Sequence, residues 1–244
     1  MITSSRPRMG DLSRRQFGKL SGAGLILGAT GLGSRALAQT PSRGGHLRYG
    51  AAGQNSGASL DPATWGTGAM NSQAVWPAIF GNLTEIAPDG SLEATLAESF
   101  EASEGATKWV FTLRKGVEFH NGKTMDAADV IASINHHRGA ESSSAAKGLV
   151  EGITDIVADG NNVVITLAAG NADFAYLMSD YHLPIGIAAD GKVDWTTGIG
   201  TGGYKIDNLE YGVRLDASRH ANYWRNDRAW FDSVEFIEVA DLTT

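Results

Sequence analysis

Leu96-Ala97-Glu98-Ser99-Phe100, then Trp109-Val110-Phe111-Thr112-Leu113-Arg114-Lys115-Gly116-Val117-Glu118-Phe119-His120-Asn121-Gly122, then Asp126-Ala127-Ala128-Asp129-Val130 all fall within residues 96–130. From Lys108 to Arg114, apolar Trp109, Phe111 and Leu113 alternate with Val110, Thr112 and Arg114, the period of a strand with one buried face. Val117-Glu118-Phe119 reads as a short strand entering a turn at Asn121-Gly122, where glycine supplies a positive φ. A helix is expected next. Asp126 is a good N-cap, Asp129 puts a second carboxylate in the first turn, and Val130, Ile131 and Ile134 form an apolar stripe. His136, His137 and Arg138 then sit at the negative end of the dipole, with Gly139 as the stop.

This succession resembles the family 5 extracellular solute-binding proteins, the peptide-, nickel- and oligosaccharide-binding receptors of bacterial ABC importers. Where the family has threonine before its helix this chain has Asp126, and both residue types cap. The resemblance extends over residues 44–244. It takes in Leu60-Asp61-Pro62, the run Ala78 to Glu85 with Pro88-Asp89-Gly90, Gly200-Thr201-Gly202-Gly203-Tyr204, His220 to Arg225 and Phe231 to Ile237. Gly203 stands where the family usually has proline, which is expected to loosen that segment because glycine has the larger unfolded-state entropy.

The resemblance implies an α/β fold of the periplasmic-binding-protein type II kind. Residues 39–64 would be the first segment of lobe I, 65–197 an α+β subdomain inserted into it, and 198–244 its second segment, incomplete, with the second lobe missing from a truncated chain. It further implies that Trp65, Thr67, Gly68 and Ala69 contact the ligand. Gly66 and Gly68 would let backbone approach a solute closely, and Trp65 offers a large apolar face, although a core position suits Trp65 equally. The implied function is reception of a small polar solute, a di- or oligopeptide, by closure of two lobes, and its delivery to a membrane permease. The implied protein is a periplasmic monomer and not an enzyme, with no cofactor and no metal.

The beginning reads as an address. Arg14 and Arg15, in Ser13-Arg14-Arg15-Gln16-Phe17-Gly18-Lys19, resemble the twin-arginine export motif, whose partner is the twin-arginine translocase. A Gly-rich apolar stretch, Leu20 to Gly33, leads to Ala36-Leu37-Ala38, and cleavage is expected between Ala38 and Gln39. The stretch falls short of the about 20 strongly apolar residues of a membrane span. No cysteine is present in the 244 residues, so no lipid attachment point, disulfide or thiol nucleophile is available.

Residues 1–38 hold six basic side chains and Asp11, leaving 14 of the 20 basic and 26 of the 27 acidic residues to the rest, a formal charge of −12. An acidic body of this kind argues against a nucleic-acid partner, whose affinity rests on phosphate neutralisation.

His46 to Gly50 is expected to be a strand, and Val75, Ile79 and Phe80 suggest a short helix with Pro77 near its start. Ile153–Val157 and Val163–Leu167 flank Asp159-Gly160-Asn161-Asn162 as a hairpin. Phe174, Leu177, Met178 and Tyr181 fall on one face of a short helix capped near Asn171 or Asp173.

Gly198-Ile199-Gly200-Thr201-Gly202-Gly203 matches G-x-G-x-x-G in form, but no strong strand precedes it and no apolar helix follows, so it does not read as a nucleotide loop. Asp126 and Asp129 are read as capping residues rather than a catalytic pair. His136 and His137 diverge by about 100° on a helix and cannot chelate together. The rival reading, an exported envelope hydrolase, finds no signature of a nucleophile or of a carboxylate pair in a cleft; a non-functional truncated receptor is the third.

Overall fold

The computed structural model describes residues 41–51, 59–66 and 75–239. Its strands are β1 (His46–Ala51), β2 (Thr84–Ile86), β3 (Leu92–Ala94), β4 (Ala97–Ala102), β5 (Lys108–Leu113), β6 (Ile153–Asp159), β7 (Asn162–Leu167), β8 (Ala188–Ala189), β9 (Lys192–Val193), β10 (Tyr204–Glu210), β11 (Arg214–Arg219) and β12 (Ser233–Glu238). Its α-helices are α1 (Trp76–Ile79), α2 (Ala127–Asn135), α3 (Lys147–Val150) and α4 (Phe174–Leu177).

Two four-stranded sheets organise the chain. The first has the order β1-β12-β11-β10, with β1 parallel to β12 and the other pairs antiparallel. A parallel neighbour so distant in sequence requires a long crossover, and the second sheet, β4-β5-β7-β6, lies within it and is antiparallel throughout. Each sheet has its own core. Trp109, Phe111 and Leu113 of β5 join Phe119, Val130, Ile134 and Phe174 in one, while Trp76, Ile79, Phe80, Trp195, Leu215 and Phe236 belong to the other.

Local chemistry explains the elements at the start of α2. Asp126 accepts from the amides of Ala128 and Asp129 while the Asp129 carboxylate accepts from Asp126 N at 2.9 Å, a reciprocal cap. Asp129 is fully buried, and its remaining capacity is taken by Lys123 Nζ at 2.5 Å and Ala188 N at 2.8 Å. Gly160, at φ 59°, closes the β6–β7 hairpin, and Gly122, at φ 87°, closes the turn after Phe119.

Two expectations need correction. Val117–Phe119 is a single bridge, Glu118 to Thr124, rather than a strand, because the turn at Gly122 returns the chain immediately. The helix through Tyr181 ends after one turn, at Leu177, and Asp173 occupies its N-cap position without a side-chain cap. Tyr181 packs with the opposite core instead.

The Gly-rich run 198–203 is a packing seam. A Cβ on Gly200 would lie 2.1 Å from Ile79 O, one on Gly202 2.4 Å from Ala78 O, and one on Gly203 2.6 Å from Ala229 Cβ. Gly203 is thus closely packed against Ala229 and Tyr223 in the folded chain. His120 pins the seam to the other sheet's core. Its amide donates to Gly200 O at 3.0 Å, its Nδ1 accepts from Gly200 N at 3.2 Å, and its Nε2 donates to Gly202 O at 3.1 Å. A single 3-10 turn, Trp195–Thr197, precedes the run and β10 follows it, so the strand and helix that a nucleotide loop requires are not there.

Candidate functional site

Trp65 is 5% exposed. Its ring stacks on Trp76 at 5.7 Å and 13°, and on Tyr181 at 6.5 Å and 6°. Its Nε1 donates to Ser59 O at 2.8 Å. Both uses of the indole, apolar faces and polar edge, are thus met inside the protein. Thr67, Gly68 and Ala69 lie outside the described residues, as do Arg14, Arg15, Ala38 and Gln39.

The backbone carbonyls of Trp65 and Gly66 are gripped by residues 180–182. His182 Nε2 hydrogen-bonds Trp65 O at 2.7 Å, and Tyr181 Oη donates to Gly66 O at 3.4 Å. Asp180 Oδ1 faces His182 Nδ1 at 2.7 Å and accepts from His182 N at 2.9 Å. Burial opposes charge on both members of this pair. Their mutual hydrogen bond and attraction nevertheless hold the Asp180 carboxyl below its ordinary range and raise the His182 imidazole above its own.

A parallel arrangement secures the turn before Trp65. Asp61 caps Pro62–Thr64 by accepting from Ala63 N at 2.9 Å, and its Oδ1 lies 2.6 Å from His136 Nε2 at the C-terminal end of α2. His137 points elsewhere, with Nδ1 2.7 Å from Ser144 Oγ. Burial first, and the charge of His136 next, push His137 down to about 4. Their spacing in the sequence says only that these histidines suit a helix terminus. Nothing in the sequence ties Trp65 to Asp180, Tyr181 and His182, more than a hundred residues away.

Between the two cores opens a cleft of about 810 Å³, whose walls include Glu85, Thr201, Tyr181, Trp224, Arg225 and Arg228. Glu85 Oε1 accepts from Arg225 Nη1 at 3.0 Å and from Arg228 Nη2. Arg225 also forks onto Asp227 through Nε and Nη2, at 3.0 and 2.9 Å, and this hydrogen bonding holds the Asp227 carboxyl down to about 2. Arg114 and Arg225 lie over the Trp224 ring at 4.6 and 5.4 Å. The cleft thus combines fixed charges of both signs with aromatic surface, a lining suited to a polar solute with an apolar part.

Asp126 and Asp129 lie apart from these sites and are engaged by Lys123 and backbone amides. Among the described residues no group of three or more His, Asp or Glu side chains could hold a metal ion, and no helix is long and apolar enough to cross a membrane.

Residues 91–244 match the family described as bacterial extracellular solute-binding proteins, family 5 Middle. The chain is 26% identical over 178 residues to the glutathione-binding protein GsiB of Escherichia coli (strain K12), covering 71% of this chain and 35% of that protein. Its fold is similar to that of DppA from Helicobacter pylori, an ABC transporter-associated periplasmic binding protein in complex with the peptide STSA. There the TM-score is 0.72 at 22% identity, over 85% of this chain and 45% of that one. A nickel ABC transporter structure from Bacillus halodurans matches with TM-score 0.66 at 29% identity, over 80% of this chain and 39% of that one. The chain spans 35% of the length of the curated relatives it matches.

Proposed function

This chain belongs to the bacterial extracellular solute-binding proteins, family 5, and from that premise we propose that it serves a periplasmic receptor that hands a di- or oligopeptide to an ABC permease. The observation that carries the reading is the family match over residues 91–244. The peptide seated in the DppA relative supports the choice of solute class. Trp65, Thr67, Gly68 and Ala69 contribute ligand contacts, and for Trp65, whose ring is enclosed between Trp76 and Tyr181, the contact is made by the backbone.

In this reading two lobes close over the solute. A ligand shifts an open–closed equilibrium only by as much as it prefers the closed form, so it must touch both lobes to drive closure. The chain spans 35% of the GsiB relative, and residues 39–244 alone bind a dipeptide such as Met-Leu at millimolar concentration or weaker. Titration calorimetry tests this, and micromolar binding by residues 39–244 overturns two-lobe closure.

Arg14 and Arg15 direct export through the twin-arginine translocase, and cleavage between Ala38 and Gln39 releases a monomer into the periplasm. The intact mass of the periplasmic product, together with its retention when both arginines are changed to lysine, tests that route.

A further inference from the structure

We propose that His182 is a positioning residue which, in its doubly protonated form, clamps the backbone carbonyl of Trp65, the point where the chain enters its candidate ligand contacts. Both ring nitrogens of His182 face acceptors. Nδ1 of His182 faces the Asp180 carboxylate at 2.7 Å and Nε2 faces the Trp65 carbonyl at 2.7 Å. Neither group can donate once Asp180 is ionised. A neutral imidazole carries a single N–H and can satisfy one of the two. With His182 only 5% exposed, water cannot readily supply the missing donor. Only the imidazolium fills both bonds.

The surroundings permit that charge. Asp180 lies on the same segment and supplies the counter-charge, while the Tyr181 ring packs against the imidazole with centroids 3.9 Å apart. From the end of α2, His137 is close enough to interact electrostatically with both members of the pair, as it does with His136 and Asp61. Because His137 is driven down to about 4, it is uncharged at neutral pH and does not repel His182. The rise of the His182 titration above its ordinary value agrees with the geometry.

The pH dependence has one sign. A histidine whose folded-state pKa is raised stabilises the fold fully below the ordinary histidine value, and the contribution is lost as pH rises through the folded value. In alkali the second N–H leaves, and a lone pair on the ring confronts either the Asp180 carboxylate or the Trp65 carbonyl. The hold on the Trp65 carbonyl then slackens at the entrance to the proposed ligand contacts. This last step rests on the ligand reading of residues 67–69; the clamp itself does not.

Nitrogen-15 spectra of the histidine rings in the full chain, recorded from about pH 6 to about pH 9, test the clamp. Both His182 nitrogens should carry protons at neutral pH, and the carbonyl carbon resonance of Trp65 should move with the same midpoint as the ring. Asp180→Asn should lower that midpoint by at least about one pH unit, a tenfold change in the proton affinity. His182→Gln, which keeps one donor but has no titration, should abolish the pH response of Trp65 while circular dichroism stays unchanged.

A single protonated nitrogen on His182 at neutral pH overturns the proposal. So does a Trp65 resonance that ignores the His182 titration. The spectra of the unsubstituted chain decide the matter even if a variant fails to fold. No ligand is used, so loss of the ligand reading at residues 67–69 leaves these results standing, and their failure leaves that reading untouched.

Discussion

Replacing Gly200 with alanine should be among the most costly single methyl additions in this protein. The new Cβ would lie 2.1 Å from Ile79 O and 2.7 Å from Phe80 Cδ1, so the first obstacle is backbone rather than a side chain that can swing away. Relief requires a displacement of about 1 Å between the 198–203 run and the end of α1, and overpacking of this kind costs about 1–3 kcal/mol. The displacement also strains the bonds from His120 N to Gly200 O and from Gly202 N to Ile79 O, at 3.0 and 2.9 Å. Each contributes about 1 kcal/mol. The sum is about 3–5 kcal/mol against a total stability of about 5–15 kcal/mol.

Urea denaturation followed by tryptophan fluorescence reads this directly. With a slope of about 2 kcal/mol per molar, the midpoint should fall by about 2 M. Gly148→Ala is the matched control, since its added methyl meets open space within α3 and should be neutral or gain up to about 1 kcal/mol. A Gly200→Ala unfolding free energy within about 0.5 kcal/mol of the parent's would refute the seam, because surface changes without packing consequences fall in that range.

Other substitutions probe the remaining features. Asp129→Ala removes a fully buried carboxylate from partly exposed Lys123 and strands the amides of Asp126 and Ala188, so a loss of about 2–4 kcal/mol is expected in the same denaturation assay, most of it from the two unpaired amides. Asp126→Ala removes only the exposed half of the cap and should cost about 1 kcal/mol. Trp65→Ala should lower stability by about 3–5 kcal/mol whether or not a ligand is present, since the ring is core to the stack with Trp76 and Tyr181; an unchanged melting curve would show that the ring is dispensable to the fold.

Acid should weaken the molecule through His120, which burial pushes down to about 4. Its unfolded form binds a proton near pH 6.5, so stability falls as pH drops from about 6.5 to about 4, by about 2–3 kcal/mol in all. Thermal midpoints across that range should show a shallower fall for His120→Gln than for the parent.

Much of the second sheet was legible because its signals are local. The alternation in Lys108–Leu113, the Asp-Gly turn before Asn162 and the Asp126 cap each depend on neighbours a few residues away, and all three appear where the sequence placed them. The helix at Phe174 is one turn long although the apolar spacing runs on to Tyr181, because Tyr181 belongs to the other core. The glycines of 198–203 announced a special backbone without saying which. Their reason is the carbonyl of Ile79, and no periodicity in the sequence encodes a neighbour 121 residues away. The grip on Trp65 was invisible for the same cause: hydrogen-bond partners from residues 180–182 are set by tertiary packing.

These long-range contacts bear on how a receptor of this kind could respond as a body. Sheet β1-β12-β11-β10 and sheet β4-β5-β7-β6 have separate cores, and a cleft opens between them, so a weak junction would let them hinge. The junction is not weak. Gly200 and Gly202 meet the backbone of α1 closely enough to exclude a methyl group, His120 fastens the seam by three hydrogen bonds, and Glu85 joins Arg225 and Arg228 across the cleft. Packed interfaces of this kind move as units rather than deform continuously. A ligand touching residues just beyond Gly66 would therefore act on both sheets together, and the closure proposed for the receptor must take place outside this junction.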